Sequence, residues 1–163
     1  MPAPANPELE VFNRPLMTRA AVGNLKLPPV ASCLVLVKHP EHGDEQNGKA
    51  LCDEIRQALK HYSGTFCFFY DGMGMVNARI GYANAFKELD RELAERVTEV
   101  VCAIPGPIPR MMAYTVATLS RSSWSIFRTL TEAEMHLRLR GYAGIDFSEV
   151  LEGPMRVRVL RRA

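Results

Sequence analysis

TFCFFYDGMGM, residues 65–75, decides the fold of this chain, because an aromatic and apolar run ends there in an acidic turn with two glycines. The run is apolar at nearly every position rather than at alternate positions, which predicts a central strand buried on both faces. Beyond the turn, apolar residues recur every three or four positions and predict a long helix over about 76–96. A strand joined to a helix by a tight loop is a building unit of parallel sheets.

The same alternation of strand and helix extends in both directions. Upstream, VASCLVLV (residues 30–37) predicts a buried strand, and the spacing that follows it predicts a helix over about 48–61. Downstream, the predicted elements are a strand at 99–104, a helix from about 109, a strand at 124–128, a helix ended by Gly141 and a half-exposed edge strand around 155–159. This pattern predicts an α/β fold: one layer of four to five mostly parallel strands with alternating helices, plus an edge strand at the C-terminus.

The last predicted helix carries the clearest cap signal in the chain. Thr131 and Glu134 fit a capping box, in which each side chain accepts from the other residue's backbone N–H. Leu130 and Met135 fit the hydrophobic staple that often accompanies such a box. The pattern therefore predicts that Thr131 is the N-cap residue.

Length and composition predict one domain preceded by an arm. The chain has 163 residues, of which 47% are hydrophobic and 23% charged, and its net charge is +2. These values are typical of a globular protein, exclude wholesale disorder and give no reason to expect a nucleic-acid partner. Six prolines within residues 1–29 argue against a long regular element there. We therefore divide the chain into a proline-containing arm at 1–29 and a single α/β domain at 30–163.

The sequence also predicts where the protein resides. It contains no run of about 18 apolar residues and no basic patch followed by an apolar stretch at its start, so we expect neither an integral membrane segment nor a signal peptide. Cys33, Cys52, Cys67 and Cys102 lack the spacing of a zinc or iron–sulfur site. We expect them to be structural rather than catalytic, as free thiols in a reducing, cytoplasmic compartment.

The turn that follows the central predicted strand is the candidate functional site. Its residues are Asp71, Gly72, Met73, Gly74 and Met75. Backbone amides at such a junction of strand and helix attract ligands, and anions above all. Asn77 occupies the position where a dinucleotide fingerprint requires its third glycine, which excludes that motif. Two interpretations stay open: a structural turn whose aspartate accepts hydrogen bonds from loop amides, and a binding site for a ligand or a partner.

Two arginines complete the predicted ligand- or partner-binding set. They are Arg79, in the helix after the turn, and Arg110, near the start of the next helix. The segment HPEHGDE, residues 39–45, collects potential metal ligands, but its spacing matches no known metal motif, and we interpret it as a solvated loop. The sequence contains no nucleophile elbow, so it predicts no catalytic residue, no metal site and no cofactor.

Three stretches of the chain resemble the STAS-like family, named for sulfate transporters and anti-sigma-factor antagonists. They are GTFCFFYDGMGM (64–75), RVTEVVCAI (96–104) and SSWSIFRTLTEAEMHLRLRG (122–141). The likeness is greatest to small stand-alone bacterial domains similar to the sporulation anti-sigma-factor antagonist. It implies a regulatory domain that binds another protein. It also implies an extra first strand that pairs with the next strand, for which residues 9–27 are the candidate segment.

One departure from that family concerns regulation. Typical members carry Asp-Ser-Ser-Gly after the strand, and phosphorylation of the second serine releases the partner. Here Asp71 and Gly74 match that pattern, whereas Gly72 and Met73 stand at the serine positions. A thioether cannot accept a phosphate, so we expect no phosphorylation switch at this turn.

Two functional hypotheses follow. The first is a non-enzymatic regulatory or protein-interaction module with a STAS-like fold, lacking the phosphoacceptor serine and using residues 71–75 as its contact surface. The alternative is a protein or enzyme that binds a small anionic or apolar metabolite in a pocket at the carboxyl ends of the strands, where open α/β sheets bind ligands.

The arm predicts a homodimer. Its apolar residues are Leu9, Val11, Phe12, Leu16 and Met17. In a monomer whose core begins at Val30 they would expose a sizeable apolar patch, which a two-fold exchange of arms would cover. The alternative is that the arm covers an edge of its own sheet.

Overall fold

The computed structural model of the chain describes residues 16–17, 27–142, 152 and 155–161. The strands within this part are β1 (Leu16–Met17), β2 (Cys33–Lys38), β3 (His42–Gly43), β4 (Phe66–Asp71), β5 (Asn77–Ala78), β6 (Val97–Ala103), β7 (Ser123–Phe127) and β8 (Val157–Arg161). The helices are α1 (Glu45–Leu59), α2 (Ile80–Leu93), α3 (Pro107–Leu119) and α4 (Leu130–Leu139).

The main sheet has the strand order β1-β7-β6-β4-β2-β8. Its four inner strands are parallel and are neighbours in the order in which they follow one another along the chain. Both edge strands, β1 and β8, are antiparallel to their neighbours. The predicted α/β fold, with mostly parallel strands and an edge strand near the C-terminus, is confirmed.

Helices cover both faces of the sheet, which explains why its inner strands are apolar throughout. All six residues of β4 are buried, as are the first five of β2. Because each right-handed crossover leads to the next strand in one direction, α1, α2 and α3 lie on the same face. They enclose the larger core, to which they contribute Leu51, Phe86 and Val116. On the opposite face, Leu137 of α4 belongs to a smaller core.

The helix predicted over 76–96 begins later, at Ile80. The preceding residues form a short ribbon instead, because β5 pairs in parallel with β3. The amide of Val76 donates to the Glu41 carbonyl at 2.8 Å, and the amide of Arg79 donates to the Gly43 carbonyl at 2.8 Å. In a helix that began at residue 76, the first amides would have no partner within the helix. The bonds to residues 41 and 43 give partners to the amides of Val76 and Arg79.

The start of α4 lies two residues before the predicted cap. Thr129 is the N-cap residue, and its hydroxyl accepts from the amide of Glu132 at 3.2 Å. Thr129 and Glu132 repeat the spacing of Thr131 and Glu134, so two boxes compete in the sequence. The helix ends as predicted at Gly141, whose φ of 104° is the left-handed conformation that glycine adopts at low cost.

One segment of the arm lies on the sheet of its own chain. Leu16–Met17 pairs with β7, where Leu16 is opposite Ile126. The expected pairing of a first strand with the next strand along the chain is therefore wrong, since the outer edge of β2 is occupied by β8. Residues 1–15 and 18–26 of the arm lie outside the described residues.

None of the four helices in the described part of the chain is long and apolar enough to cross a bilayer. The longest of them, α1, has 15 residues. A helix that spans the hydrocarbon core needs about 20 residues.

Candidate functional site

A cavity of about 50 Å³ lies at the carboxyl ends of the parallel strands, between the sheet and helices α2 and α3. Tyr70 of β4 and Cys102 of β6 line it from the sheet, Phe86 and Val116 line it from the two helices, and Met75 lines it from the turn after β4. The space is about a third of the ~150 Å³ that encloses a benzene molecule. It therefore suits a short alkyl group rather than a ring.

His39, the residue after β2, is the most polar group in the cavity wall. Its backbone amide donates to the Asp71 carbonyl at 2.8 Å, which continues the pairing of β2 with β4 by one residue. Its ring centroid lies 4.9 Å from that of Tyr70 and 4.9 Å from that of Phe86. These contacts enclose the imidazole, and only 9% of the residue is exposed.

The two nitrogens of the His39 ring have different surroundings. Nδ1 lies 2.5 Å from the hydroxyl oxygen of Tyr82, a hydrogen-bond distance. Nε2 is buried and has no hydrogen-bond partner among the described residues. A buried polar atom without a partner costs about 1–3 kcal/mol, so this nitrogen is expected to form a hydrogen bond with a polar group that enters the cavity.

The cavity is electrically neutral. Burial lowers the pKa of His39 from 6.5 to about 3, so the imidazole is uncharged at physiological pH. Burial also raises the pKa of the Cys102 thiol and of the Tyr70 and Tyr82 phenols, which keeps all three protonated. None of the described residues that line the cavity is an aspartate, glutamate, lysine or arginine.

The predicted turn contributes Met75 to the wall of this site, and its other residues have separate roles. Asp71 is 7% exposed, and its Oδ1 accepts from the amide of Met73 at 3.0 Å, as the structural interpretation of the turn requires. The amide of Gly72 donates to the Ala103 carbonyl at 2.9 Å. A Cβ at Gly72 would lie 2.8 Å from Cγ1 of Ile104, so only glycine lets the turn approach β6 this closely.

The other predicted binding residues occupy separate positions. Met73 and Gly74 are exposed, and only Met75 of the predicted set lines the cavity. Arg110 folds back on the loop before α3, where its Nη1 donates to the Pro105 carbonyl at 3.0 Å. Arg79 lines a surface groove with Asp44, away from the cavity. The structure therefore does not bring the two arginines together with the turn into one site.

Sequence reasoning missed His39 and Tyr82 as site residues. The solvated-loop interpretation fits Glu41 and His42, whose side chains are 68% and 60% exposed, but it is wrong for the buried His39. The strand pattern contained a signal for His39. Side chains alternate between the two faces of a strand, so His39 lies on the same side as Val35 and Val37, which belong to the larger core. Tyr82 precedes Phe86 by four residues, which places both on the buried side of α2.

A second buried cluster lies under α4, on the opposite face of the sheet. Glu99 of β6 is 1% exposed and accepts from Nε2 of His136 at 2.8 Å and from Nε of Arg140 at 3.2 Å. Arg140 also donates to the carbonyl of Pro28. The cluster is internally paired and ties α4 to the sheet and to the segment before β2, which is a structural role.

The fold and this cavity define an α/β protein with a small apolar site at the carboxyl edge of a mostly parallel sheet. Comparison with known proteins adds no family to that class: no family model, no curated protein and no solved structure matches the chain.

Proposed function

We propose that the protein binds a small, predominantly apolar ligand in the cavity beside His39. The observation that carries this proposal is a buried imidazole nitrogen that has no partner among the described residues, in an apolar space at the carboxyl ends of parallel strands. Ligands of open α/β sheets bind at this edge, in pockets that combine apolar walls with a few polar groups. Of the two ligand chemistries expected from the sequence, the apolar one fits better, because the part of the chain that the structure describes places no cationic side chain in the cavity wall.

Binding fits the site better than catalysis does. A general base works best when its pKa lies near the operating pH, whereas the pKa of His39 is lowered to about 3. The thiolate is the nucleophilic form of cysteine, and burial disfavours it at Cys102. We therefore propose a non-enzymatic protein. Its four cysteines are free and buried, which fits the cytoplasmic location that we propose for it.

Filling the cavity tests the proposed function. We expect isobutene or acetone, titrated into the ¹⁵N-labelled protein, to shift the amide signals of residues around the cavity. Ala113 lines the cavity from α3, and Ala113→Leu should abolish these shifts because its alkyl side chain occupies the space. The control is Thr115→Leu, which places the same side chain at an exposed position of α3 and should leave the shifts unchanged. Absence of shifts with both probes in the wild-type chain would refute the proposal.

A second candidate function, contact with another protein, is favoured by an apolar surface around the same turn. Its exposed side chains are Met73, Val76, Ile80, Ile108 and Met111. Groups of exposed apolar side chains are typical of interaction sites. On this hypothesis the chain is a regulatory module related to STAS-like domains. The parallel strand order supports that relation, and the pairing of β1 with β7 departs from it.

The homodimer predicted from the arm belongs to this second candidate. Light scattering at micromolar concentration is expected to give twice the mass of one chain, and deletion of residues 1–29 is expected to abolish the dimer. Circular dichroism of the shortened chain checks that the α/β domain stays folded. A monomeric full-length chain would contradict the prediction, and a dimer that survives the deletion would exclude the arm as its interface.

A further inference from the structure

We infer that the ligand is an uncharged molecule with a carbonyl oxygen on a short alkyl group, and that the oxygen accepts a hydrogen bond from Nε2 of His39. This inference rests on the proposed function and adds the chemistry of the bound group. It follows from three observations: the hydrogen bond between His39 and Tyr82, the absence of lysine and arginine among the described residues of the cavity wall, and the size of the cavity.

The Tyr82 hydroxyl determines which His39 nitrogen carries the proton. In one arrangement the hydroxyl donates to Nδ1, so the proton of the neutral ring is on Nε2. In the other, Nδ1–H donates to the hydroxyl oxygen, and the hydroxyl proton then needs an acceptor of its own. Tyr82 is 5% exposed, and its hydroxyl makes no other hydrogen bond within the described residues. The first arrangement satisfies more groups, so Nε2 is a donor and the ligand supplies an acceptor.

The absence of charge then limits the acceptor. A carboxylate would also accept from Nε2, but transfer of an anion into an apolar cavity without a cation is costly. No lysine or arginine is among the described residues of the cavity wall. A neutral oxygen meets the same donor without that cost. The volume of about 50 Å³ admits the carbonyl and its neighbouring carbons, and the remainder of a longer ligand extends past the half-buried residues Met112 and Ala113.

Three probes of nearly the same shape test the inference: acetone, isobutene and acetate. Each has four heavy atoms in a plane, and they differ in presenting a neutral acceptor, no acceptor or a charged acceptor. Isobutene leaves water more readily than acetone, so their absolute affinities are not directly comparable. The dissociation constant of acetone is therefore divided by that of isobutene, and this ratio is compared between the wild type and His39→Phe. We expect the variant to weaken acetone about tenfold relative to isobutene, which corresponds to one hydrogen bond of about 1.4 kcal/mol. Acetate is expected not to bind in the cavity.

Each outcome decides between the inference and the proposed function. If neither neutral probe shifts the signals of the cavity, the proposed function fails. If both bind and their ratio is the same in His39→Phe, or if acetate binds in the cavity, the inference fails and the proposed function stands.

A second test uses the wild-type chain and so does not depend on whether a variant folds. The ¹⁵N shifts of the His39 ring should show the proton on Nε2, and the Nε2 signal should move when acetone binds. A proton on Nδ1 would overturn the inference. Tyr82→Phe removes only the hydroxyl, and we expect it to reduce the preference of the proton for Nε2.

Discussion

Lowering the pH from 7 to 4.5 is expected to destabilise the protein by about 2–3 kcal/mol through His39 alone. The pKa of this residue is lowered from 6.5 to about 3 in the folded chain. Between these two values the unfolded chain binds a proton that the folded chain excludes, so the free energy of unfolding decreases as the pH falls. Well above pH 6.5 the imidazole is neutral in both states and the effect is absent.

Urea unfolding at pH 7, 5.5 and 4.5 measures this effect. Comparison of the wild type with His39→Phe isolates it, because the carboxylates titrate in both proteins. In the wild type, His39 makes the free energy of unfolding fall by up to about 1.4 kcal/mol for each pH unit, and His39→Phe should lack this contribution. His42→Gln, at an exposed position three residues away, is the matched control and should keep the slope. A slope that is the same in His39→Phe and in the wild type would show that His39 is accessible to protons in the folded state.

Arg140→Met is expected to destabilise the protein by about 3 kcal/mol, since it removes the arginine from a buried ion pair. The carboxylate of Glu99, whose side chain is 2% exposed, then keeps only its hydrogen bond with Nε2 of His136. The substitution also removes the bond from Arg140 to the carbonyl of Pro28, which ties α4 to the segment before β2. Equilibrium unfolding in urea at pH 7 provides the measurement.

The same helix supplies a matched control. Arg138 pairs with Glu134 at 2.6 Å on the surface, and its side chain is 57% exposed. Arg138→Met should therefore change the free energy of unfolding by less than about 0.5 kcal/mol. The double variant Glu99→Gln/Arg140→Met should recover part of the lost stability, because the buried carboxylate is then absent. Equal effects of the two arginine substitutions would contradict the buried-pair interpretation.

Local patterns in the sequence predicted the elements of the fold well. The apolar runs at 30–37 and 65–70 correspond to β2 and β4, because a strand buried on both faces must be apolar at nearly every position. The alternation of valine and arginine near the C-terminus corresponds to the edge strand β8, in which Val157 is buried and Arg161 is exposed. Gly141 ends α4 because the left-handed conformation there favours glycine, whatever the rest of the chain does.

The candidate site was predicted only in part. Of the predicted residues only Met75 lines the cavity, and a strand followed by a glycine turn was sufficient to point to it. Arg79 and Arg110 do not join the cavity, because the direction of a long side chain depends on neighbours that a sequence pattern does not specify.

The sequence by itself determined the strands, the helices and the edge of the sheet where a ligand is expected, because each depends on residues within a few positions of one another. Tertiary structure decided the rest. The pairing of β3 with β5 joins residues 35 positions apart in the chain. Because of this pairing, α2 begins at Ile80 rather than at about residue 76. The burial of His39 depends on Tyr82, 43 positions away. The pKa of that imidazole and the missing partner of Nε2 arise from desolvation between packed elements, which no local pattern contains.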